Sequence, residues 1–153
     1  MLEAMEIVEG APLAFALIPV EVEARRIREV MHPTLIELRQ TLAAQGIDAS
    51  GPWLTHHWKK PAEKFVFDLC IPTSQTVAPS GRVLPGLISA RKIARCVHIG
   101  DYAGLPGAWG EFSRWIDAQG VQKRPDFWEI YVVGPESGLP SEHWRTELVQ
   151  PLG

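Results

Sequence analysis

Ala44-Gln45-Gly46-Ile47 and Ala118-Gln119-Gly120-Val121 are one phrase written twice, and each copy closes a run of apolar residues at helical spacing. Ile27, Met31, Leu35, Leu38 and Leu42 lead into the first copy; Leu105, Trp109, Phe112 and Ile116 lead into the second. Steps of three and four residues keep such side chains on one helical face. Gly46 and Gly120 stand where a left-handed residue ends a helix. Pro33 interrupts the first pattern, so a regular helix is expected from near His32, or a kink between two pieces.

Outward from the helices the echo continues. Gly51–Trp58 and Asp126–Val133 follow them and read as strands rich in aromatic and β-favouring residues. Lys64–Ile71 then runs to Pro72, as His143–Gln150 runs to Pro151. Leu13–Val20 and Lys92–Ile99, which precede the helices, are apolar and strand-like. The order is strand–helix–strand–strand, twice, over about 11–72 and 92–152. Residues 73–91, rich in Ser, Thr, Gly and Pro, read as a connecting loop. Neither repeat closes a core easily alone, so the expectation is a single α+β domain over 1–153. Its tandem β-α-β-β units would form one mostly antiparallel sheet with both helices on one face. The other face would form a ligand cleft between the pseudo-symmetric halves.

The chain's 153 residues suffice for one hydrophobic core, and 46% apolar with 22% charged residues is ordinary globular composition. Net charge is −3 without a dense basic run, which argues against direct nucleic-acid binding. No export signal and no apolar run of about 20 residues is visible, so the expected setting is cytoplasmic, without a membrane partner. Cys70 and Cys96 lie in apolar strand-like surroundings and read as buried, reduced thiols.

Phe127-Trp128-Glu129-Ile130-Tyr131-Val132 is the segment with the most chemistry. Strand alternation puts Trp128, Ile130 and Val132 on one face and Phe127, Glu129 and Tyr131 on the other. The first set is apolar and is expected to meet the helices. The second sets a carboxylate between two aromatic rings. On an ordinary sheet surface Glu129 would simply face water. In a cleft, partial desolvation would make the carboxylate seek a cation, and the rings would add cation–π attraction. It could equally serve as a general base beside an electrophile.

Six tryptophans fit a binding pocket without demonstrating one. Trp109 and Trp115 lie in the second helical pattern and read as packing residues; Trp53, Trp58 and Trp144 lie on strand-like segments. His56 and His57 are adjacent on a strand and point to opposite faces, while His32, His98 and His143 lack ligand spacing, so no metal is expected. No phosphate loop or nucleophile motif is present, and no cofactor is expected.

From about Lys92 to Leu152 the sequence resembles the GyrI-like small-molecule-binding domain, also the effector domain of AraC- and MerR-type multidrug regulators. The resemblance rests on His98-Ile99-Gly100-Asp101-Tyr102, Trp128-Glu129-Ile130-Tyr131 and Trp144-Arg145-Thr146-Glu147 in this order and spacing. The first half matches through the duplicated pattern and Gly51-Pro52. It implies a pocket in which Glu129 is the buried acid, Tyr102 a lining residue and Trp144 a further wall. By the duplication, Trp53 and His57 stand opposite Phe127 and Tyr131. Asp101 stands where the family often has proline, which implies an altered turn or a second acid at the mouth. His56 and His57 stand where tyrosine is common. No helix-turn-helix segment is seen ahead of the domain, so regulation of transcription by this chain alone is not expected.

Three functions follow from the resemblance. One is stand-alone binding of small aromatic, cationic or drug-like molecules, as a sensor or sequestering protein. Another is hydrolysis of electrophilic cyclopropane-containing genotoxins, with Glu129 and Tyr102 or Tyr131 activating water. The third is interaction with a protein partner such as DNA gyrase.

Overall fold

Each repeat folds as its spacing predicts, and each gains one strand that the spacing does not predict. The computed structural model describes residues 2–60 and 62–153. In chain order the elements are β1 (Leu2–Gly10), β2 (Leu13–Glu23), α1 (Ile27–Ala44), β3 (Leu54–His57), β4 (Lys64–Pro72), β5 (Leu84–Ile88), β6 (Arg91–Ile99), α2 (Leu105–Ala118), β7 (Phe127–Val133) and β8 (Arg145–Pro151). The chain divides into two compact units, Ala11–Ala90 and Met1–Gly10 with Arg91–Gly153.

In the unit Ala11–Ala90 the strand order is β3-β4-β2-β5, every pair antiparallel. α1 buries Leu35, Leu38 and Leu42 against Ala16 and Ile18 of β2 and Phe67, Leu69 and Ile71 of β4. Each such side chain contributes roughly 1.5–3 kcal/mol when fully buried. α1 begins at Ile27, six residues before Pro33 rather than near His32. Pro33 is exposed, and the carbonyl that loses its partner there can turn to water. Gly46 and Gly120 both have left-handed φ, +67° and +71°, and end their helices as the repeat requires.

Residues 73–91 are not all loop, because Leu84–Ile88 pairs with β2. Pro85 and Gly86 disguise the strand. It lies at the sheet edge, where a proline costs no ladder bond on its open side. Gly86 is required by contact: a Cβ there would come within 2.3 Å of the Phe15 ring.

In the other unit the order is β1-β6-β8-β7, again antiparallel throughout. α2 packs Leu105, Ala108, Phe112 and Ile116 onto Ala94 and Cys96 of β6 and Leu148 of β8. β1 adds Leu2, Met5 and Ile7 to this core. A register shift between Glu3 and Glu6 lets Leu2 and Met5, an odd number of residues apart, serve one side. No helix among the described residues is long and apolar enough to cross a membrane.

Candidate functional site

The ladder between β7 and β8 fixes which way Glu129 points. Glu129 is paired with Leu148, and Tyr131 with Thr146. Paired residues in an antiparallel ladder share a face. Leu148 is fully buried in the core beneath α2. Phe127, Glu129 and Tyr131 therefore lie on the helix-covered face, and Trp128, Ile130 and Val132 on the opposite one. This reverses the expected assignment. The apolar triplet looked better suited to a helix, but α2 carries Trp109, whose N–H needs an acceptor.

Trp109 meets the set of Phe127, Glu129 and Tyr131 directly. Its Nε1 donates to Glu129 Oε2 at 2.8 Å, and its ring stands edge-on to Phe127 with centroids 4.8 Å apart. Tyr131 donates its hydroxyl to Glu129 Oε1 at 2.7 Å. Each carboxylate oxygen thus holds one neutral donor, and among the described residues no Lys or Arg forms an ion pair with Glu129. Burial pushes the Glu129 carboxyl above the usual range; the Tyr131 and Trp109 hydrogen bonds and the field of His98 act against that push. The charged form is oriented but not neutralised.

Tyr102 joins through its ring. It meets Tyr131 edge-on at 5.6 Å and Trp144 at 5.0 Å. Trp144 is held in turn by its Nε1 donating to the Leu139 carbonyl at 3.1 Å. Tyr102 opens a short 3₁₀ turn, Tyr102–Gly104, capped by Asp101, whose Oδ1 accepts from the Ala103 N–H at 2.9 Å. Asp101 thus serves the turn as a cap. Burial first, then the fields of Glu136, Glu129 and Asp101, push the Tyr102 hydroxyl up to about 12. Phenol deprotonation is disfavoured where three carboxylates converge. At Gly134 a Cβ would come within 2.5 Å of Tyr102 Oη, so the glycine admits the phenol.

Beside Tyr131 runs a polar row that sequence reading passed over. His98 is the ladder partner of Thr146, and Thr146 that of Tyr131, so all three share the helix-covered face. His98 Nε2 lies 3.1 Å from the Asp101 carbonyl. The signal was available in parity, since His98 keeps step with Cys96 and Ala94 on β6. Helical spacing alone gives Trp109 a packing role, and nothing in the sequence marks Glu136; their roles depend on α2 and on the turn after β7 meeting the strand.

Trp53 and His57, the weaker candidates, belong to the unit Ala11–Ala90. Trp53 packs against that unit's core. His57 stacks on Phe67 at 5.1 Å and shares a 2.9 Å hydrogen bond with Thr55. Burial, then the field of His56, lowers its pKa to about 4, so the ring is neutral near pH 7. In the same unit Asp68 accepts from Trp58 Nε1 at 3.1 Å, and burial raises its carboxyl. Both cysteines are free and buried; burial pushes Cys96 up to about 12 and Cys70 well above the usual thiol value. Neither is poised as a nucleophile.

Comparison with known proteins gives residues 12–152 as a match to the GyrI-like small molecule binding domain. Among solved structures, the EcmrR C-terminal domain shares 19% identity at a TM-score of 0.86, over 100% of this chain and 99% of that one. The EcmrR chain in complex with DNA shares 19% at 0.85, over 97% of this chain and 57% of that one, so this chain spans little more than half of it. A hydrolase from Listeria innocua shares 12% at 0.73, over 99% and 92% of the two chains. SAV2435 bound to tetraphenylphosphonium shares 14% at 0.66, over 98% and 94%. At these identities the likeness is one of fold. No curated protein sequence matches the chain.

Proposed function

Since the chain belongs to the GyrI-like small-molecule-binding family, we propose that it binds small aromatic cations at Glu129, as a sensor or sequestering protein. The observation that carries this reading is the Glu129 carboxyl, desolvated and held by two neutral donors, with no Lys or Arg paired to it among the described residues. A cation brought to it recovers Coulomb energy that burial withholds. The rings of Phe127, Tyr131, Tyr102 and Trp144 supply faces for a flat or propeller-shaped aromatic body. The fields of Glu136 and Asp101 favour the same sign of ligand. SAV2435, of similar fold, is solved with tetraphenylphosphonium, an aromatic cation.

The test is a tryptophan-fluorescence titration with tetraphenylphosphonium and with neutral triphenylphosphine oxide. Glu129→Gln keeps the side-chain shape and removes the charge. The cation is expected to bind the variant about ten- to a hundredfold more weakly, and the neutral compound within about twofold of wild type. Equal losses for both compounds would remove the charge from the account.

A second reading, hydrolysis of an electrophilic cyclopropane, is favoured by the 2.7 Å Tyr131–Glu129 hydrogen bond. Burial raises the Glu129 carboxyl pKa, which makes it a stronger base than an exposed carboxylate. Water would attack a ring carbon and give its proton to Glu129. The broken C–C bond would leave its electrons on the attached electron-poor group, which then takes a proton. Release of many ring-opened molecules per protein, abolished by Glu129→Gln, is the outcome that supports it; an unchanged electrophile excludes it.

A further inference from the structure

Three buried polar atoms near Glu129 have no hydrogen-bond partner among the described residues: His98 Nδ1, Thr146 Oγ1 and Tyr102 Oη. His98 is 5% exposed and Thr146 0%. Leaving one such group unpaired costs about 1–3 kcal/mol, so three in one neighbourhood call for a physical reason. They are also spatially connected. His98 and Thr146 are ladder partners, Thr146 and Tyr131 are ladder partners, and the Tyr131 ring meets that of Tyr102.

The orientation of His98 is set from outside the row. A carbonyl only accepts, so the 3.1 Å contact with the Asp101 oxygen makes Nε2 the donor nitrogen. Nδ1 is then the ring nitrogen left without a partner, and in the tautomer that carries its proton on Nε2 it is an acceptor. Gly104 keeps the ring in place, since a Cβ there would come within 2.9 Å of His98 Cε1. Thr146 adds a hydroxyl that can accept or donate. The row thus presents acceptors in succession, from the Glu129 carboxylate through Thr146 Oγ1 to His98 Nδ1.

We propose that His98 and Thr146 form a polar subsite that receives an N–H or O–H donor on the ligand held at Glu129. This rests on the cation reading above and narrows it: the preferred ligand is an aromatic cation that also carries an amino or hydroxyl group. The unpaired atoms are shielded from solvent, so a donor group that reaches them meets no competing bond from bulk water. His98 and Thr146 are specificity residues; Glu129 supplies the charge.

A matched pair of probes tests the subsite: N-methylacridinium and its diamino derivative, both fixed cations with the same ring system. Wild type is expected to bind the diamino cation at least about tenfold more tightly, the worth of a hydrogen bond in a desolvated site. Thr146→Val keeps the side-chain shape and removes the hydroxyl; it should erase most of that difference and leave the plain cation within about twofold. It should also raise Tm, because an unpaired buried hydroxyl is gone. His98→Leu should likewise erase the preference for the diamino form. A plain cation that binds through Glu129 with no preference for the diamino form sinks the subsite and leaves the cation reading standing. So does a Thr146→Val protein that melts lower and loses both cations equally, which would make the hydroxyl a structural partner. Failure of both probes to bind wild type sinks the cation reading and the subsite with it.

Discussion

The indole N–H of Trp109 on α2 donates to Glu129 Oε2 on β7 at 2.8 Å, tying the helix to the acid on the strand. This bond gives a residue of an apolar helical stripe a second task, orienting a carboxylate that burial would otherwise neutralise. Trp109→Phe keeps the ring contact with Phe127 and removes the donor. Because that donor lowers the Glu129 pKa, the variant should raise it further. NMR titration of the Glu129 side chain reads this directly. Thermal stability should fall by about 1.5–3 kcal/mol at neutral pH, as for a hydrogen bond to a charged group.

Glu129 itself should behave as a charge that costs stability. Its folded pKa is raised, so between the unfolded and folded values the native state binds more protons and stability increases as pH falls. Glu129→Gln imitates the protonated acid. The variant should melt about 2–4 °C above wild type at neutral pH, the shift that ~1 kcal/mol gives a domain of this size. The gap should close as pH drops through the folded pKa. A variant that melts lower at neutral pH would mean that Tyr131 and Trp109 more than offset the desolvation.

Much of the architecture is legible in the repeated phrase and its flanks, because helix spacing and the glycines at φ +67° and +71° are local properties. Local signals mislead where tertiary contact decides. β1 hides because its register shift breaks alternation between Leu2 and Met5. β5 hides because Pro85 and Gly86 mimic a loop, while the glycine in fact makes room for Phe15. At the site, parity groups Phe127, Glu129 and Tyr131 correctly but cannot say which face meets the helix. That depends on Leu148, which pairs with Glu129 from another strand. His98 and Thr146 look like polar interruptions in apolar strands until the ladder sets them side by side.

Gly134 gives a test of Tyr102 that leaves the acid untouched. Its backbone is extended, at φ −144°, so alanine is tolerated conformationally. The added Cβ would nonetheless come within 2.5 Å of Tyr102 Oη and 3.1 Å of Glu136 Oε2. The phenol must pivot away, loosening its contacts with Trp144 and Tyr131. Gly134→Ala should cost about 1 kcal/mol or less in stability and weaken aromatic cations about tenfold. Chemical denaturation beside a fluorescence titration separates the two, and an unchanged affinity would take Tyr102 out of the binding surface.

Gly86 allows no such escape. A Cβ there would stand 2.3 Å and 2.7 Å from two atoms of the Phe15 ring, and 2.8 Å from Leu17 Cδ2. Phe15 is only 4% exposed and has nowhere to go. Gly86→Ala is expected to destabilise by about 1–3 kcal/mol through overpacking, and to expose amides of β5 to hydrogen exchange before those of β4.

His57 supplies the acid limit of the fold. Its folded pKa, lowered to about 4 from an ordinary 6.5, means that the unfolded chain binds the extra proton first as pH falls. Stability from this group is therefore full above about pH 6.5 and is lost progressively toward pH 4. A gap of that size amounts to about 3 kcal/mol at most. Asp68, Glu129 and Glu147, whose carboxyls are raised by burial, act in the opposite direction over acid pH and blunt the total curve. The measurement is accordingly a difference: Tm of wild type against His57→Leu from neutral pH down to about pH 4. The variant loses the Thr55 hydrogen bond and starts lower, and the separation should narrow steadily on acidification as wild type begins to bury a charged imidazolium. A separation constant with pH would show that His57 is not the neutral, stacked ring its burial between Phe65 and Phe67 implies.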